Sequence, residues 1–184
     1  MSRKERLFLY IVRGILLALC IFTTGFITYN SIQSGEDSAA QSSRVVSAVQ
    51  EVAKWIAPDS KVATATGEDY DMLHSAIRTL AHVTEFLLLG FSAFGACLSF
   101  TRKKHALAFP AVYVVSVACL DELLQTFISG RAGEFSDVVA DMVGSFVGGL
   151  LACVLATLII YLYRKREEKK NEAGQLGNSA DSIQ

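Results

Sequence analysis

Side chains suited to acid/base chemistry occur in two short blocks of this sequence. His82 and Glu85 are three residues apart, so a helix would carry them on one face. Asp121 and Glu122 are adjacent in the second block. A histidine and carboxylates that share a site can donate and accept protons at a reacting group. These four residues are therefore the candidate catalytic residues, and the sequence leaves open which of them would act.

Other polar residues near these blocks could bind charged groups. Arg78 lies one helical turn before the first block. Gln125 lies one turn after Glu122, and Arg131 follows six residues later. Because guanidinium groups bind carboxylates and phosphates well, these three are the candidate substrate-binding residues. Asp137 and Asp141 are one turn apart and are the candidate metal ligands, since carboxylate oxygens bind divalent cations. A divalent cation is the one cofactor that the sequence suggests.

Long apolar runs must position these residues. Crossing a bilayer takes about 20 predominantly apolar residues. The runs of sufficient length are residues 7–29, 77–100, 106–127 and 138–163. Hydrophobic residues make up 52% of the 184-residue chain, which is high for a soluble domain. We predict an all-α membrane protein, a four-transmembrane-helix bundle that forms one domain over 7–163. Residues 1–6 precede it, and the charged, then Gly/Ser/Asn-rich tail 164–184 is predicted to be disordered.

Lys and Arg near the ends of the runs predict the orientation, because they favour the cytoplasmic side. Three short segments contain most of the chain's 17 Lys and Arg residues. These residues are Arg3, Lys4, Arg6, Arg102, Lys103, Lys104, Arg164, Lys165, Arg166, Lys169 and Lys170. Segments 30–75 and 128–136 contain few. We expect a multi-pass cell-membrane protein with both termini in the cytoplasm and these two segments outside.

This topology brings all the candidate residues to the outer end of the bundle. The second and fourth helices begin there, and the third ends there. Gly144 and Gly148 form a G-x-x-x-G pattern that allows close approach of the fourth helix to a neighbour, and Gly90 and Gly95 could do the same for the second. Close packing would let carboxylates of one helix meet His82 or an arginine of another. We predict a polar pocket at this end.

The outer loop 30–75 contains an amphipathic segment. Val45, Val49, Val52 and Ile56 recur at helical spacing, with polar residues between them. A short helix there could lie on the outer leaflet, or it could pack on the bundle and cap it. The sequence leaves both arrangements open.

Two classes of function find no support. The cysteines stand singly in apolar runs, without the spacing of a zinc site or a paired disulfide. They are Cys20, Cys97, Cys119 and Cys153. The net charge is −1, so no basic field predicts a nucleic-acid partner.

The polar blocks also resemble those of the VanZ-like membrane proteins. Residues 78–90 read RTLAHVTEFLLLG, similar to the R-K-x-A-H-F-x-E-Y-x-x-L-G segment of that family. Residues 121–131 read DELLQTFISGR and residues 137–144 read DVVADMVG, similar to D-E-x-x-Q-x-F-x-x-G-R and D-V-x-x-D/N-x-x-G. Thr79 and Val83 depart from the pattern, but the polar set is intact. The likeness covers about residues 20–150.

The resemblance implies a compact helical membrane bundle and a role in the cell envelope. The family is named for a protein linked to low-level teicoplanin resistance, which supplies a phenotype class without a reaction. Our first hypothesis is an envelope factor that alters glycopeptide susceptibility through the polar pocket. Its expected partners are the lipid bilayer and either a lipid-linked envelope precursor or a glycopeptide.

Two alternatives come from other classes of protein. An intramembrane enzyme would act on a lipid-linked or phosphorylated substrate, although no nucleophile motif or phosphate-binding glycine loop is present. A structural or assembly subunit would use the polar residues only to hold its helices together. Loss of phenotype at normal abundance in a pocket variant would separate the first two from the third.

Overall fold

The computed structural model describes residues 3–101 and 107–181, and these residues form five α-helices and no strand. The helices are α1 Arg3–Ser31, α2 Gly35–Ile56, α3 Glu68–Phe100, α4 Ala108–Gln125 and α5 Phe135–Asp181. Helix α3 is central, because it contacts each of the other four. The all-α bundle predicted from the sequence is confirmed.

Four of the helices are long and apolar enough to cross a membrane. The candidate spans are Glu5–Ser31, Glu68–Phe100, Ala108–Gln125 and Phe135–Arg166. Large apolar side chains cover their outward faces, with Ile21 73% and Phe146 73% exposed as examples. In water such a surface would be unfavourable, whereas lipid tails cover it without cost. The four predicted spans are therefore confirmed as helices, with α2 as an additional helix between the first two.

The helix ends differ from the predicted ones in physically explicable ways. Helix α3 begins at Glu68 rather than near residue 77, with acidic residues in its first turn that favour a helix N-terminus. Helix α5 continues to Asp181, through most of the tail for which the composition predicted disorder. Residues 164–170 are all Arg, Lys or Glu, which are good helix formers and extend the helix past the apolar span. Residues 182–184 lie outside the described residues.

Helix α2 forms the amphipathic segment and is longer than the periodic residues alone indicated. Ser34 caps it by accepting a hydrogen bond from the backbone N–H of Asp37. The one buried residue in α2 is Val46. The four periodic residues are all exposed, namely Val45, Val49, Val52 and Ile56. The bundle therefore covers the apolar face of α2 only in part, and the polar first half of the helix supplies its contacts to the cavity described below.

Glycines allow α3 and α5 to pack backbone against backbone. A Cβ added at Gly144 would collide with the backbone of Val83, and one added at Gly148 would collide with that of Leu87. On the other helix, a Cβ at Gly90 would collide with the backbone of Ser145. The close approach predicted from G-x-x-x-G is thus confirmed. It brings the polar residues at the start of α5 against those of α3.

The ionisable residues collect at one end of the bundle, which we call the polar end. Helices α1 and α4 finish there, at Ser31 and Gln125, and α3 and α5 start there. The opposite end carries Arg13, whose guanidinium donates to the Ser99 carbonyl at 2.6 Å and lies 4.6 Å from the ring centroid of Phe100. Between the two ends lies a small apolar core. It consists of Ile27, Phe86, Leu89, Ala93, Val114, Val117 and Ala118.

Candidate functional site

His82 is the centre of the polar end. It lies on α3, largely buried, with its Nδ1 atom 3.3 Å from Oδ1 of Asp141 on α5. The same Nδ1 atom is 3.9 Å from Oδ2 of Asp121 on α4. Asp141 is 0% exposed and Asp121 is 3% exposed, so three helices bring these side chains together out of contact with solvent.

Gln125 holds the two carboxylates of α4 in place. Its Nε2 atom donates to Oδ2 of Asp121 and to Oε1 of Glu122, at 3.0 Å in each case. The sequence D-E-x-x-Q makes this possible, since residues three and four apart are neighbours on a helix. Ser31 Oγ, at the end of α1, donates to the remaining oxygen of Asp121, and the backbone N–H of Glu134 donates to Oε2 of Glu122 at 2.8 Å.

His82, Asp121, Glu122 and Asp141 form what we call the four-residue cluster. One potential ligand atom from each lies within 4.8 Å of the others. Several buried polar atoms in or beside the cluster make no hydrogen bond within the described part of the chain. They are Nδ1 of His82, both carboxylate oxygens of Asp141, Oε1 of Gln125 and Oγ of Ser145. Such atoms are unusual in a folded interior and need an explanation.

The two arginines sit beside the cluster and have other partners. Arg78 forms an ion pair with Asp137, at 3.7 Å between Nη2 and Oδ2. Arg131 donates through Nη1 to the backbone oxygens of Asn30 and Ser31, at 2.9 and 3.3 Å. Burial lowers the pKa of the Arg131 guanidinium below its ordinary value, and the nearby positive charge of Arg78 contributes to the shift. Arg131 therefore connects the α4–α5 link to the end of α1.

Close packing between Gly35 and Gly130 positions Arg131 at the end of α1. The link packs on the start of α2, where the backbone N–H of Gly35 donates to the Ser129 carbonyl at 3.1 Å. A Cβ at Gly35 would collide with the backbone of Gly130, which itself has a φ of 75°, in the region that glycine adopts most readily. Arg131 Nη2 then donates to Ser38 Oγ on α2 at 2.7 Å.

A polar cavity of about 70 Å³ opens beside the cluster. Its charged lining residues are Arg78, His82, Glu85, Asp121 and Arg131. This volume is several times the roughly 10–15 Å³ that one water molecule needs. The cavity therefore has room for a small polar group such as a phosphate.

A second, apolar space adjoins this cavity. We call it the lateral crevice, a space of about 520 Å³ between α1, α2 and α3. Its apolar lining residues are Phe22, Phe26, Val45, Val49, Ile77, Leu80, Ala81 and Leu88. Four residues line both spaces, namely Gln41, Ser42, Ala81 and Glu85. Glu85 is held at this junction by the Nδ2 atom of Asn30, which donates to its Oε1 atom at 2.9 Å.

A third space lies toward the opposite end of the bundle. This far crevice, of about 490 Å³, is formed by α1, α3 and α5 and includes Leu16, Leu98 and Ala156 in its lining. It is similarly apolar, but it shares no lining residue with the polar cavity.

The structure brings most of the predicted site residues together at the polar end. Asp137 lies against Arg78 and outside the four-residue cluster, whereas Asp141 belongs to it. Gln125 contacts the carboxylates through its amide nitrogen, and Glu85 borders the cavity.

Sequence reasoning missed several residues of the site. Asn30, Ser38 and Gln41 line the polar cavity, and they come from the end of α1 and from the start of α2. Asn30 could have been found as the polar residue that ends an apolar span. Ser38 and Gln41 carry no such signal, because serine and glutamine are ordinary in an exposed polar segment.

The comparisons with known proteins identify a family but no individual site residue. The model of the family described as VanZ/LLP1 matches residues 15–159, which include both polar blocks and all four spans in large part. No curated protein matches the chain, and no solved structure does.

Proposed function

Since this chain belongs to the VanZ/LLP1 family of membrane proteins, we propose that it acts in the cell envelope by binding a lipid that carries a small anionic head group. The polar end would face outward and both termini would lie in the cytoplasm, in accord with the Lys and Arg distribution. Handling of such a lipid at the outer face would then alter susceptibility to glycopeptides of the teicoplanin type. The observation that carries the proposal is that the polar cavity and the lateral crevice share four lining residues.

The dimensions of the two spaces support one amphiphilic ligand. The polar cavity takes a group of about phosphate size, and the guanidinium groups of Arg78 and Arg131 line it beside the carboxyl groups of Glu85 and Asp121. The lateral crevice, at about 520 Å³, falls within the roughly 300–1,000 Å³ range of ligand sites and has an apolar lining suited to a hydrocarbon chain. A glycopeptide is too large for the cavity, so the effect on such antibiotics would come through the lipid.

Helix α2 supports the same proposal from a different direction. Its polar first half supplies Ser38, Gln41 and Ser42 to the cavity, and Val45 and Val49 further along it line the crevice. The start of α2 would therefore meet the head group of a bound amphiphile, and its middle would meet the hydrocarbon chain. Its remaining apolar face, exposed in the structure, would rest on the leaflet.

A matched pair of probes tests the head-group requirement. Farnesyl phosphate and farnesol have the same chain and differ only in the phosphate. We expect farnesyl phosphate to raise the melting temperature of the detergent-purified protein, while farnesol at the same concentration has little effect. Arg131→Ala should lose the response. Equal stabilisation by both probes would contradict an anionic head-group site.

A matched pair of variants tests the crevice. Leu88→Trp would fill the lateral crevice, and Leu98→Trp would place the same side chain in the far crevice on the same helix. We expect the first to weaken farnesyl phosphate binding about tenfold or more and the second to leave it nearly unchanged, since displaced contacts of 1.4 kcal/mol correspond to a factor of ten. Equal binding by the two variants would refute the crevice as the chain's site.

The same variants should change teicoplanin susceptibility in cells. In a teicoplanin-susceptible host that expresses the protein, Arg131→Ala and Leu88→Trp should abolish any change in susceptibility that the wild type confers. Leu88→Trp should keep normal abundance in the membrane, whereas Arg131→Ala also loses three hydrogen bonds and is compared with wild type expressed at matched abundance. Loss of abundance of Leu88→Trp together with its phenotype would instead favour the structural-subunit alternative.

An intramembrane enzyme is the second candidate function, favoured by the convergence of His82, Asp121, Glu122 and Asp141 beside the cavity. In that case the bound lipid phosphate would be a substrate, with His82 or Glu85 as the proton-transfer group. Release of inorganic phosphate or a change in the lipid's mass on incubation would distinguish turnover from binding. An unchanged lipid after prolonged incubation would reject this alternative.

A further inference from the structure

The four-residue cluster combines unlike ligand types from three helices. His82 comes from α3, Asp121 and Glu122 from α4, and Asp141 from α5. The three carboxylates are 3%, 5% and 0% exposed. Burying several carboxylates together is costly unless their charge is offset, because each loses its hydration in a medium of low dielectric constant. A positive charge at the cluster would offset this cost, as would a proton on one of the carboxyl groups.

The direct bonds of the neighbouring arginines go to partners outside the cluster. The guanidinium of Arg78 pairs with Asp137, which lies outside the cluster, and that of Arg131 is directed to two backbone carbonyls and the hydroxyl of Ser38. His82 could carry a proton, but one imidazolium against three carboxylates would still leave negative charge in excess.

Asp141 and His82 carry buried atoms that make no well-aligned hydrogen bond within the described residues, although Nδ1 of His82 lies 3.3 Å from Oδ1 of Asp141, and this is a second observation. Asp141 is fully buried, yet neither of its oxygens makes a hydrogen bond within the described residues, and its close neighbour is the ring of His82. Nδ1 of His82 likewise makes no hydrogen bond there, although it faces two carboxylates. Atoms with free lone pairs that converge in this way are what a metal ion uses as ligands.

The distances suit a single ion. Zinc binds imidazole nitrogen and carboxylate oxygen at about 2.0–2.2 Å, so two ligands of one ion lie at most about 4.4 Å apart. The separations from His82 Nδ1 to Asp141 and to Asp121 are 3.3 and 3.9 Å. The full set spans no more than 4.8 Å, which a small side-chain rotation would close.

The surrounding hydrogen bonds would orient the ligands. Gln125 donates to Asp121 and to Glu122, Ser31 donates to Asp121, and the backbone N–H of Glu134 donates to Glu122. Groups of this kind fix carboxylates around metal ions in proteins, and their removal typically weakens metal binding about 10–100-fold.

We propose that His82, Asp121, Glu122 and Asp141 bind one divalent first-row transition metal ion, of the zinc or manganese class. The imidazole favours such a metal over magnesium or calcium, which prefer oxygen ligands alone. Because His82 and Asp121 also line the polar cavity, the ion would lie within reach of a bound phosphate. It would add positive charge where Glu85 and Asp121 otherwise oppose an anion. The metal site itself does not depend on the proposed lipid ligand.

The experiment measures the metal directly. The full-length chain is purified in detergent with an affinity tag that contains no histidine, and metal content is determined by mass spectrometry. We expect about one zinc or manganese ion per chain. Asp141→Asn should lose the metal, and Asp137→Asn, one turn away on α5 and outside the cluster, should retain it. Gln125→Leu should weaken binding about 10–100-fold.

A second measurement covers the case in which Asp141→Asn fails to fold. Wild-type protein is stripped with a chelator and titrated with Co²⁺, whose visible absorption reports nitrogen and oxygen ligation. Stripping should lower the melting temperature, and Zn²⁺ or Mn²⁺ should restore it. Wild-type protein that carries no metal and shows neither a cobalt spectrum nor a thermal response would overturn the proposal. Equal metal in Asp141→Asn and Asp137→Asn would overturn it as well. Neither measurement uses lipid, so either result stands whether or not farnesyl phosphate binds.

Discussion

Replacing Gly148 by alanine should force α5 away from α3 and destabilise the bundle. A Cβ at this position would lie 2.8 Å from the backbone nitrogen of Phe91 and closer still to the carbonyl oxygen of Leu87. Non-bonded heavy atoms normally approach to about 3.5–4.0 Å, so relieving the contact with the Leu87 oxygen requires the two backbones to separate by roughly 1.5 Å or more. Backbone atoms cannot rotate aside as a flexible side chain can. The separation would also move Asp141, two turns earlier on α5, relative to His82.

The expected magnitude is the difference between two opposing effects. Forcing an extra methyl group into a well-packed interface costs about 1–3 kcal/mol. Alanine in place of glycine within a helix gains about 0.5–1 kcal/mol, because alanine loses less conformational freedom on folding. Gly148→Ala should therefore lower the free energy of unfolding by roughly 0.5–2 kcal/mol.

Gly25 supplies the control for this prediction. A Cβ added at Gly25 in α1 meets nothing within 4 Å, so Gly25→Ala should show the helix-propensity gain alone. Reversible unfolding in mixed detergent, followed by circular dichroism, gives both free energies under the same conditions. Their difference should be about 1–3 kcal/mol. If the two variants change stability by the same amount, the reasoning that backbone contact sets the α3–α5 distance is wrong.

Other consequences of the structure can be measured in the same preparations. Arg131→Lys keeps the charge but cannot reproduce the three hydrogen bonds of the guanidinium, so we expect a loss of about 1–3 kcal/mol in unfolding free energy, and an unchanged value would contradict the bonding described. Arg13→Leu leaves the Ser99 carbonyl without its charged donor and should cost about 1–3 kcal/mol, whereas Arg13→Lys should cost less. Gly35→Ala collides with the backbone of Gly130 and should loosen α2, which hydrogen exchange would report as faster exchange in α2 with little change in α3.

The transmembrane architecture could be predicted because it depends on composition over long windows. A run such as 138–163 must be helical in lipid, because the α-helix is the one structure in which a single segment satisfies all its own backbone hydrogen bonds there. The convergence of His82, Asp121 and Asp141 at one end follows from the direction in which each helix runs. The glycine pattern around Gly144 identified the close contact, because small residues four positions apart let a membrane helix approach its neighbour closely.

The partners within the site could not be predicted in the same way. Asp137 and Asp141 are one turn apart and looked equivalent as metal ligands, but one turn also moves a side chain about 6 Å along the helix axis. That displacement carries Asp137 to Arg78 and leaves Asp141 beside His82. Arg131 likewise looked ready for a carboxylate, and its hydrogen bonds go to backbone oxygens at the end of α1.

The sequence by itself determined that the chain forms four apolar helices and that its candidate site residues share one end, because helix period and chain direction belong to the chain and bilayer thickness fixes the span length. Only the tertiary structure decided which carboxylate faces which base, that α2 lies over the junction, and that the polar cavity and the lateral crevice share lining residues. The physical reason is that these features depend on helix rotation and separation, which glycine contacts and the Gly35–Gly130 packing set to within about an ångström.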